Sequence, residues 1–84
     1  MPYAVEIAPA AEREFRRLPR TVQMRLAPLI DALATNPRPR GVKKLSGMEN
    51  RYRIRQGDYR VIFEVYDNDS VVVILRIAQR SSAY

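Results

Sequence analysis

The 84-residue sequence contains no histidine, no cysteine and no tryptophan. Without histidine and cysteine the chain cannot build a zinc site on those ligands, a disulfide bond, a thiol nucleophile or a catalytic pair that uses imidazole. We expect neither a metal nor a cofactor. No apolar run approaches the roughly 18–20 residues that span a bilayer, and no basic segment leading into an apolar one opens the chain. We therefore expect a soluble, cytoplasmic protein without a membrane partner.

The short length of the chain limits how much hydrophobic surface it can bury. Hydrophobic residues make up 46% of the sequence and aromatic residues 8%, which suffices for one small core but not for two. We predict a single domain over residues 1–84, which excludes a two-domain enzyme.

Acidic residues are scarce next to basic ones. Fifteen Lys and Arg side chains oppose nine Asp and Glu, a formal net charge of +6, and all but two of the cations are arginine. Residues 1–36 carry only +1 of this excess, and residues 37–84 carry +5. Because a basic surface attracts anions, we expect an anionic partner at the second half of the chain.

The first half of the chain predicts a strand and two helices. Tyr3 to Ile7 alternates apolar and polar residues, as a short strand does. Apolar residues then recur at helical spacing after Pro9 and again from Pro19 to Asn36, which indicates a helical hairpin. Pro28 lies inside the second helix, where it removes one backbone hydrogen bond, and we expect a kink there.

The second half predicts three strands, Arg51 to Gln56, Tyr59 to Tyr66 and Val71 to Ala78. Gly57-Asp58 fits a two-residue turn between the first two strands, and this turn sets the register. The opposite pairs are Gln56/Tyr59, Arg55/Arg60, Ile54/Val61, Arg53/Ile62, Tyr52/Phe63 and Arg51/Glu64. One face, directed to the core, then carries Tyr52, Ile54, Val61 and Phe63, and the other carries Arg51, Arg53, Arg55 and Arg60.

A three-residue loop of Asp67-Asn68-Asp69 is expected between the last two strands, pairing Tyr66 with Ser70. This register sets Arg76 opposite Arg60 and turns four residues to the core: Val71, Val73, Leu75 and Ile77. The predicted fold class is α+β in the order β-α-α-β-β-β. It has a mainly antiparallel sheet of about four strands, the N-terminal helical hairpin on one face and the other face open.

Like charges at Arg55, Arg60 and Arg76 line up in this prediction, although such rows usually destabilise a sheet. One interpretation is a solvated face that carries arginine for solubility. The other is a phosphate site, because guanidinium groups stay charged and bind phosphate oxygens in a planar fork. The clustering favours the phosphate site.

Three segments together resemble a known family. They are Leu45-Ser46-Gly47, the strand motif Tyr52-Arg53-Ile54-Arg55-x-Gly57-Asp58-Tyr59-Arg60-Val61-Ile62-Phe63-Glu64-Val65, and Leu75-Arg76-Ile77 with Arg80-Ser81-Ser82-Ala83-Tyr84. With the order of the elements, they resemble the RelE/ParE superfamily of bacterial toxins over essentially the whole chain. The resemblance implies a toxin of a type II toxin–antitoxin pair. For the RelE branch it implies a metal-independent endoribonuclease that cuts messenger RNA in the ribosomal A site.

The resemblance assigns catalytic roles by position in these motifs, to Arg60, Arg80, Tyr84, Arg55 and Arg53. Four other cations are candidates for RNA binding: Lys43, Lys44, Arg51 and Arg76. Attack by the RNA 2′-hydroxyl needs a proton acceptor, a proton donor for the leaving 5′-oxygen and cations at the phosphate. Arginine suits only the last task, because it keeps its proton.

The general base is harder to name. Gln79 stands where relatives often have histidine, and an amide cannot shuttle a proton. The remaining candidates are Tyr84, Glu64, and Lys43 or Lys44. Glu64 is better placed as an ion partner of Arg51, and the lysines are better suited to anchoring phosphates.

The sequence is compatible with three functions. They are messenger RNA cleavage on the ribosome, ParE-like inhibition of DNA gyrase without nuclease chemistry, and plain RNA binding by a basic module. Both toxin functions imply a cognate antitoxin with an acidic or amphipathic segment, and the first adds messenger RNA and the ribosome as partners. We expect a monomeric free toxin that forms a hetero-oligomer with its antitoxin.

Overall fold

The computed structural model describes residues 2–79, which form two helices and one five-stranded sheet. In chain order the elements are β1 (Ala4–Ile7), α1 (Pro9–Arg16), α2 (Arg20–Ala32), β2 (Lys43–Lys44), β3 (Arg51–Gln56), β4 (Tyr59–Tyr66) and β5 (Val71–Gln79). The α+β prediction and the element order are confirmed. The addition is the two-residue strand β2, in a segment that the sequence pattern leaves as loop.

The strands are ordered β1-β5-β4-β3-β2 across the sheet. Strand β1 runs parallel to β5, with Ala4 opposite Val71, and every other neighbouring pair is antiparallel. The first strand of the chain therefore lies beside the last one. The middle of the sheet is formed by β5, β4 and β3, which carry most of the predicted functional residues.

The core lies between the two helices and one face of the sheet. The sheet supplies fully buried side chains such as Phe63, Val61 and Ile74, and the helices supply Ala11 and Leu26. Burying such side chains away from water is the main source of stability for a domain of this size. The other face of the sheet is left for the polar and basic side chains.

The helical hairpin begins and turns at proline. Pro9 occupies the first turn of α1, where its missing N–H needs no partner, and Pro19 is the N-cap residue of α2. The Nε2 group of Gln23 in α2 donates to the carbonyl oxygens of Phe15 at 3.0 Å and Leu18 at 3.1 Å. Phe15 lies in the last turn of α1, where its carbonyl also accepts from the amide of Leu18 at 3.1 Å, and Leu18 lies in the turn between the helices. Gln23 thus joins the two helices.

Helix α2 is continuous through Pro28 and ends at Ala32, four residues before the predicted limit at Asn36. Turns follow it, and the amide of Asn36 donates to the carbonyl of Ala32 at 3.0 Å. Neither helix described for residues 2–79 is long and apolar enough to cross a membrane.

The first β-hairpin has the predicted register in all six pairs, from Gln56 opposite Tyr59 to Arg51 opposite Glu64. Gly57 has a φ of 59° and is the first of the two turn residues. Only glycine adopts this conformation readily at the first position of a type II′ turn. The glycine therefore places Arg55 opposite Arg60.

The predicted second hairpin is wrong in its turn. Tyr66 pairs with Val71 rather than with Ser70, so the turn has four residues instead of three. Ser70 adopts a φ of 53°, a left-handed conformation that a residue with a Cβ rarely takes. This conformation closes the longer turn and shifts the pairing register of β5 by one residue.

The predicted core residues of β5 are consequently wrong at three of four positions. Val72 and Ile74 are fully buried in place of Val71 and Val73. A β-bulge lies opposite the step from Ile62 to Phe63, where Ile62 pairs with Arg76 and Phe63 pairs with Ile74. The extra residue is Leu75, and because it restores the alternation, Ile77 is buried as predicted.

Candidate nucleic-acid interface

The face of the sheet opposite the helices, here called the arginine face, carries Arg53, Arg55 and Arg60. Residues opposite each other on neighbouring strands share a face. One row across this face therefore contains Lys43, Arg53, Ile62 and Arg76, and the next row contains Arg55, Arg60 and Ala78. Cations from four strands meet on one surface.

Arg55 and Arg60 form the second pair from the Gly57 turn. In a two-residue hairpin the first pair exchanges both backbone hydrogen bonds, so the second is a non-hydrogen-bonded pair, in which side chains approach more closely. The Arg55 side chain is exposed, whereas Arg60 is half-buried and its Nε atom is buried. The two guanidinium groups therefore start from Cα atoms only about 4.5 Å apart.

Arg76 does not lie opposite Arg60, and this prediction is wrong. The bulge at Leu75 sets Arg76 opposite Ile62 and leaves Ala78 opposite Arg60. The guanidinium of Arg76 binds Glu14 of α1, with Nε 2.8 Å and Nη2 2.6 Å from Oε2. Arg76 is thus neutralised within the chain.

Glu14 also binds the backbone of β5. Its Oε1 accepts a hydrogen bond from the amide of Ile77 at 2.7 Å, beyond the point where β1 ends and leaves the edge of β5 unpaired by a strand. Burial alone would raise the pKa of Glu14, but the hydrogen bonds from Arg76 and from the Ile77 amide outweigh it and hold the pKa below its usual value. Glu14 therefore covers a strand edge with a charged acceptor.

Arg51 is neutralised in the same way at the other end of the face. Its Nη2 lies 2.8 Å from Oε2 of Glu64, and the hydroxyl of Tyr66 donates to Oε1 of Glu64 at 2.6 Å. The hydrogen bond from Tyr66, with help from Arg51, lowers the pKa of Glu64 despite the opposing effect of burial. A carboxylate held in this way is a weak base, which argues against Glu64 as the proton acceptor.

The two lysines of β2 lie on different faces. Lys43 is opposite Arg53 and belongs to the arginine face, whereas Lys44 is opposite Tyr52, whose ring stacks on Phe63 of the core. Strand alternation thus separates two residues that the sequence pattern groups together. Arg80 and Tyr84 lie outside the described residues, so their predicted roles stay predictions.

The sequence pattern missed a cluster around Arg38. This residue binds Asp67 through two hydrogen bonds of 3.1 and 2.8 Å, and its Nε donates to the hydroxyl of Tyr52 at 3.1 Å. The hydroxyl of Tyr3 donates to the same carboxylate at 2.6 Å. The cluster joins the start of the chain, the loop before β2, strand β3 and the β4–β5 turn. No local signal reveals it, because the partners are far apart in sequence.

Within residues 2–79 no group of three or more acidic side chains has the arrangement of a metal site. The chemistry that this surface offers is instead that of fixed positive charge. Guanidinium groups at Arg53, Arg55 and Arg60 can bind phosphate oxygens and stabilise charge that develops on a phosphorus under attack.

Known proteins share both the sequence and the fold. Residues 5–84 match the family model described as ParE toxin of type II toxin-antitoxin system, parDE. Toxin RelE of Mycobacterium tuberculosis is 33% identical over 84 residues, covering 99% of this chain and 87% of that protein. The chain belongs to the RelE/ParE superfamily of type II toxins.

Two further relatives extend this comparison. The mRNA interferase toxin RelE of Escherichia coli K12 is 30% identical over 82 residues, which is 95% of this chain and 85% of that protein. A chain of the archaeal RelE-RelB complex from Pyrococcus horikoshii OT3 matches with a TM-score of 0.86 and 36% identity, covering 99% of this chain and all of that one. The RelE/ParE toxin fold thus accounts for the whole described sheet and both helices.

Proposed function

We propose that this RelE/ParE toxin is an endoribonuclease that cleaves messenger RNA on the ribosome and thereby inhibits translation. The observation that carries the proposal is the meeting of Arg53, Arg55 and Arg60 on one face of the sheet. The name of the Escherichia coli relative, mRNA interferase toxin, supports the same activity. The substrate is a phosphodiester whose own 2′-hydroxyl attacks the phosphorus.

The arginines bind and stabilise the phosphate in this reaction. Arg55 and Arg60, as a close cross-strand pair, can hold two non-bridging oxygens, and Arg53 lies two residues from Arg55 on the same strand and face. The charge on these oxygens grows as the 2′-oxygen attacks, so fixed cations lower the barrier more than they tighten ground-state binding. The position of Arg80 in the C-terminal motif assigns it the same role.

Proton transfer falls to other residues. Because Glu64 is held by Arg51 and Tyr66, the acceptor of the 2′-hydroxyl proton is Tyr84 or Lys43, of which Lys43 lies on the arginine face. Gln79 contributes hydrogen bonds only.

The proposal includes a cognate antitoxin as the partner that restrains the toxin. The archaeal relative is described as a RelE-RelB complex, and the net charge of +6 on this chain favours an acidic partner. We expect the free toxin to be monomeric and the restrained form to be a hetero-oligomer. Co-expression with the adjacent reading frame, followed by purification through a tag on the toxin, tests this partner.

The first test of the nuclease is expression of Arg60→Ala next to the parent and a control. Arg60→Ala is expected to abolish growth inhibition and cleavage, because the phosphate loses a cation from the centre of the arginine face. The matched control is Arg20→Ala, an exposed arginine at the start of α2 on the helical side. Mapping of messenger RNA 5′ ends after induction measures cleavage, and circular dichroism checks that each variant folds. A folded Arg60→Ala that cuts at the parent rate overturns this role.

A second candidate is inhibition of DNA gyrase without nuclease activity. The observation that favours it is the match of residues 5–84 to a family model named for ParE. The same induction experiment separates the two functions. Cuts at codon spacing support the nuclease, whereas a DNA-damage response without cuts supports gyrase as the target.

A further inference from the structure

An apolar pit interrupts the arginine face. Its floor is Ile62, which lies in the row between Arg53 and Arg76 but is only 3% exposed and does not belong to the main core. Leu45 and Met48 from the β2–β3 loop and Leu75 from the bulge line its sides. The β2–β3 loop therefore covers part of the face that the sequence predicts to be open. A hollow of about 440 Å³ remains between the loop and the sheet.

Two local features create the pit. The β2–β3 loop folds back at Gly47, where φ is 75°, and the amide of Leu45 donates to the carbonyl of Arg51 at 2.9 Å. The bulge inserts Leu75 next to Arg76, so that an apolar side chain lies beside Ile62 on what would otherwise be a polar face. The pit is thus built by the backbone and does not result from one displaced side chain.

Two charged side chains, Arg51 and Arg76, form the rim of the pit. Both rim guanidinium groups are ion-paired, Arg51 with Glu64 and Arg76 with Glu14. An ion pair occupies the N–H edges of a guanidinium group and leaves its flat faces, and these side chains are 33% and 47% exposed. Flat faces of this kind stack on aromatic ligands. The rim is therefore suited to a flat, uncharged ligand and not to a second phosphate.

The surroundings of the pit specify the rest of the ligand. Arg53 is directly opposite Ile62, which places the phosphate-binding side chains about 5 Å from the floor at the Cβ atoms. A ligand that occupies both the pit and the phosphate-binding side chains has an anionic group and a flat, weakly polar ring. About the length of one sugar separates the two. The hydroxyl of Ser46 at the edge of the pit can donate to or accept from such a ring.

We propose that this pit binds one unstacked base of the RNA whose phosphate is held by Arg53 and its neighbours. The inference rests on the proposed function and extends it to a base-binding subsite. It reassigns Arg51 and Arg76 from phosphate contacts to the walls of a base pocket. Binding there pulls one base out of the stack, which is how proteins read single-stranded RNA.

The test combines a change in the protein with the removal of one base from the RNA. The probes are single-stranded RNA hexamers that are 2′-O-methylated throughout, so that no 2′-hydroxyl can attack, with an abasic sugar at each position in turn. Met48→Ala trims the pit at a residue that is 46% exposed, and Met24→Ala is the matched control at a 66% exposed methionine of α2. Fluorescence anisotropy measures the dissociation constants at several salt concentrations.

Met48→Ala is expected to weaken binding of the intact hexamer by about three- to tenfold, because apolar contact with the base is lost. The loss should vanish when the abasic sugar occupies the position that fills the pit. Met24→Ala should leave every hexamer unchanged. In contrast, Arg53→Ala should weaken all hexamers and reduce the salt dependence of log K by about 0.7, the value for one phosphate contact on a single strand.

Three outcomes overturn the proposal: Met48→Ala has no effect, its effect is equal for every abasic hexamer, or the parent chain binds none of the probes. A Met48→Ala variant that binds RNA normally but loses the antitoxin identifies the pit as a protein contact and also overturns it. If only the base-pocket proposal is wrong, messenger RNA in induced cells is still cut at codon spacing. Failure of the proposed function removes those cuts, so the two failures are distinguishable.

Discussion

At the scale of single residues, Arg51 and Arg76 are each bound to a carboxylate of this chain. The partner of Arg51 is its cross-strand neighbour, so alternation in the sequence reveals it. The partner of Arg76 is Glu14, which comes from a helix 62 positions earlier in the chain. A basic residue on the outer face of a sheet can therefore be neutralised by an acid that is distant in sequence.

Glu14→Ala is expected to lower the free energy of unfolding by about 2 kcal/mol, because the amide of Ile77 loses its acceptor and Arg76 loses its counter-charge. The matched control is Glu12→Ala, one of the two other glutamates of the same half of the chain, whose exposed pair with Arg16 should contribute about 0.5 kcal/mol or less. Urea denaturation measures both. Equal losses in the two variants would contradict the role given to the β5 edge.

At the scale of elements, the β3–β4 hairpin is the part of the site that could be predicted. A glycine at a two-residue turn and strict alternation on both strands leave one register, because a slip of one residue would bury arginine and expose Phe63. The turn residues and the burial pattern therefore predict the same register. This register places Arg55 opposite Arg60.

Gly57→Ala is expected to destabilise the chain by about 1–2 kcal/mol, because a φ of 59° costs little for glycine and much for a residue with a Cβ. The neighbouring Asp58→Ala is the control, since a residue outside the left-handed region accepts alanine without this strain. Thermal or urea unfolding measures both losses. If Asp58→Ala proves as costly as Gly57→Ala, backbone conformation is not what closes this turn.

The other elements required information that is not local. The β4–β5 register depends on a left-handed Ser70 and on the bulge at Leu75, and neither residue type signals such a conformation in a run of valine, isoleucine and leucine. Strand β2 has only two residues, too few to show alternation. The pit also lies beyond sequence analysis, because it is defined by the bulge and by the fold of the β2–β3 loop.

Across the whole molecule, acidic side chains join different elements of the fold. Asp67 connects Arg38 with Tyr3, Glu14 connects α1 with β5, and Glu64 connects β3 with β4. The hydrogen bonds from Arg38, followed by that from Tyr3, lower the pKa of Asp67 from 3.8 to about 2. The few acids of this basic chain therefore supply hydrogen bonds and ion pairs that connect separate elements.

The stability should fall as the pH is lowered from about 4 to 2, because the unfolded chain takes up protons near the ordinary pKa of 3.8 while folded Asp67 resists them down to about 2. The contribution of Asp67 to the free energy of unfolding is fully present above its ordinary pKa. It is lost as the pH falls through the pKa of Asp67 in the folded state. Asp67→Asn should flatten this part of the profile, and Asn68→Ala in the same turn should not. Urea midpoints across the pH series measure the slope. An Asp67→Asn profile parallel to the parent's would rule out this carboxylate as the cause.

The parallel pairing of β1 with β5 has a consequence for how the protein comes into being. Residues 4–7 can find their partners at 71–74 only after the chain up to Ile74 has been synthesised. Contacts between such distant positions are slow to form, since a long loop must close before they are made. The sheet therefore stays incomplete until residues 71–74 have been synthesised and this loop has closed, so its edge strand is the last to join it.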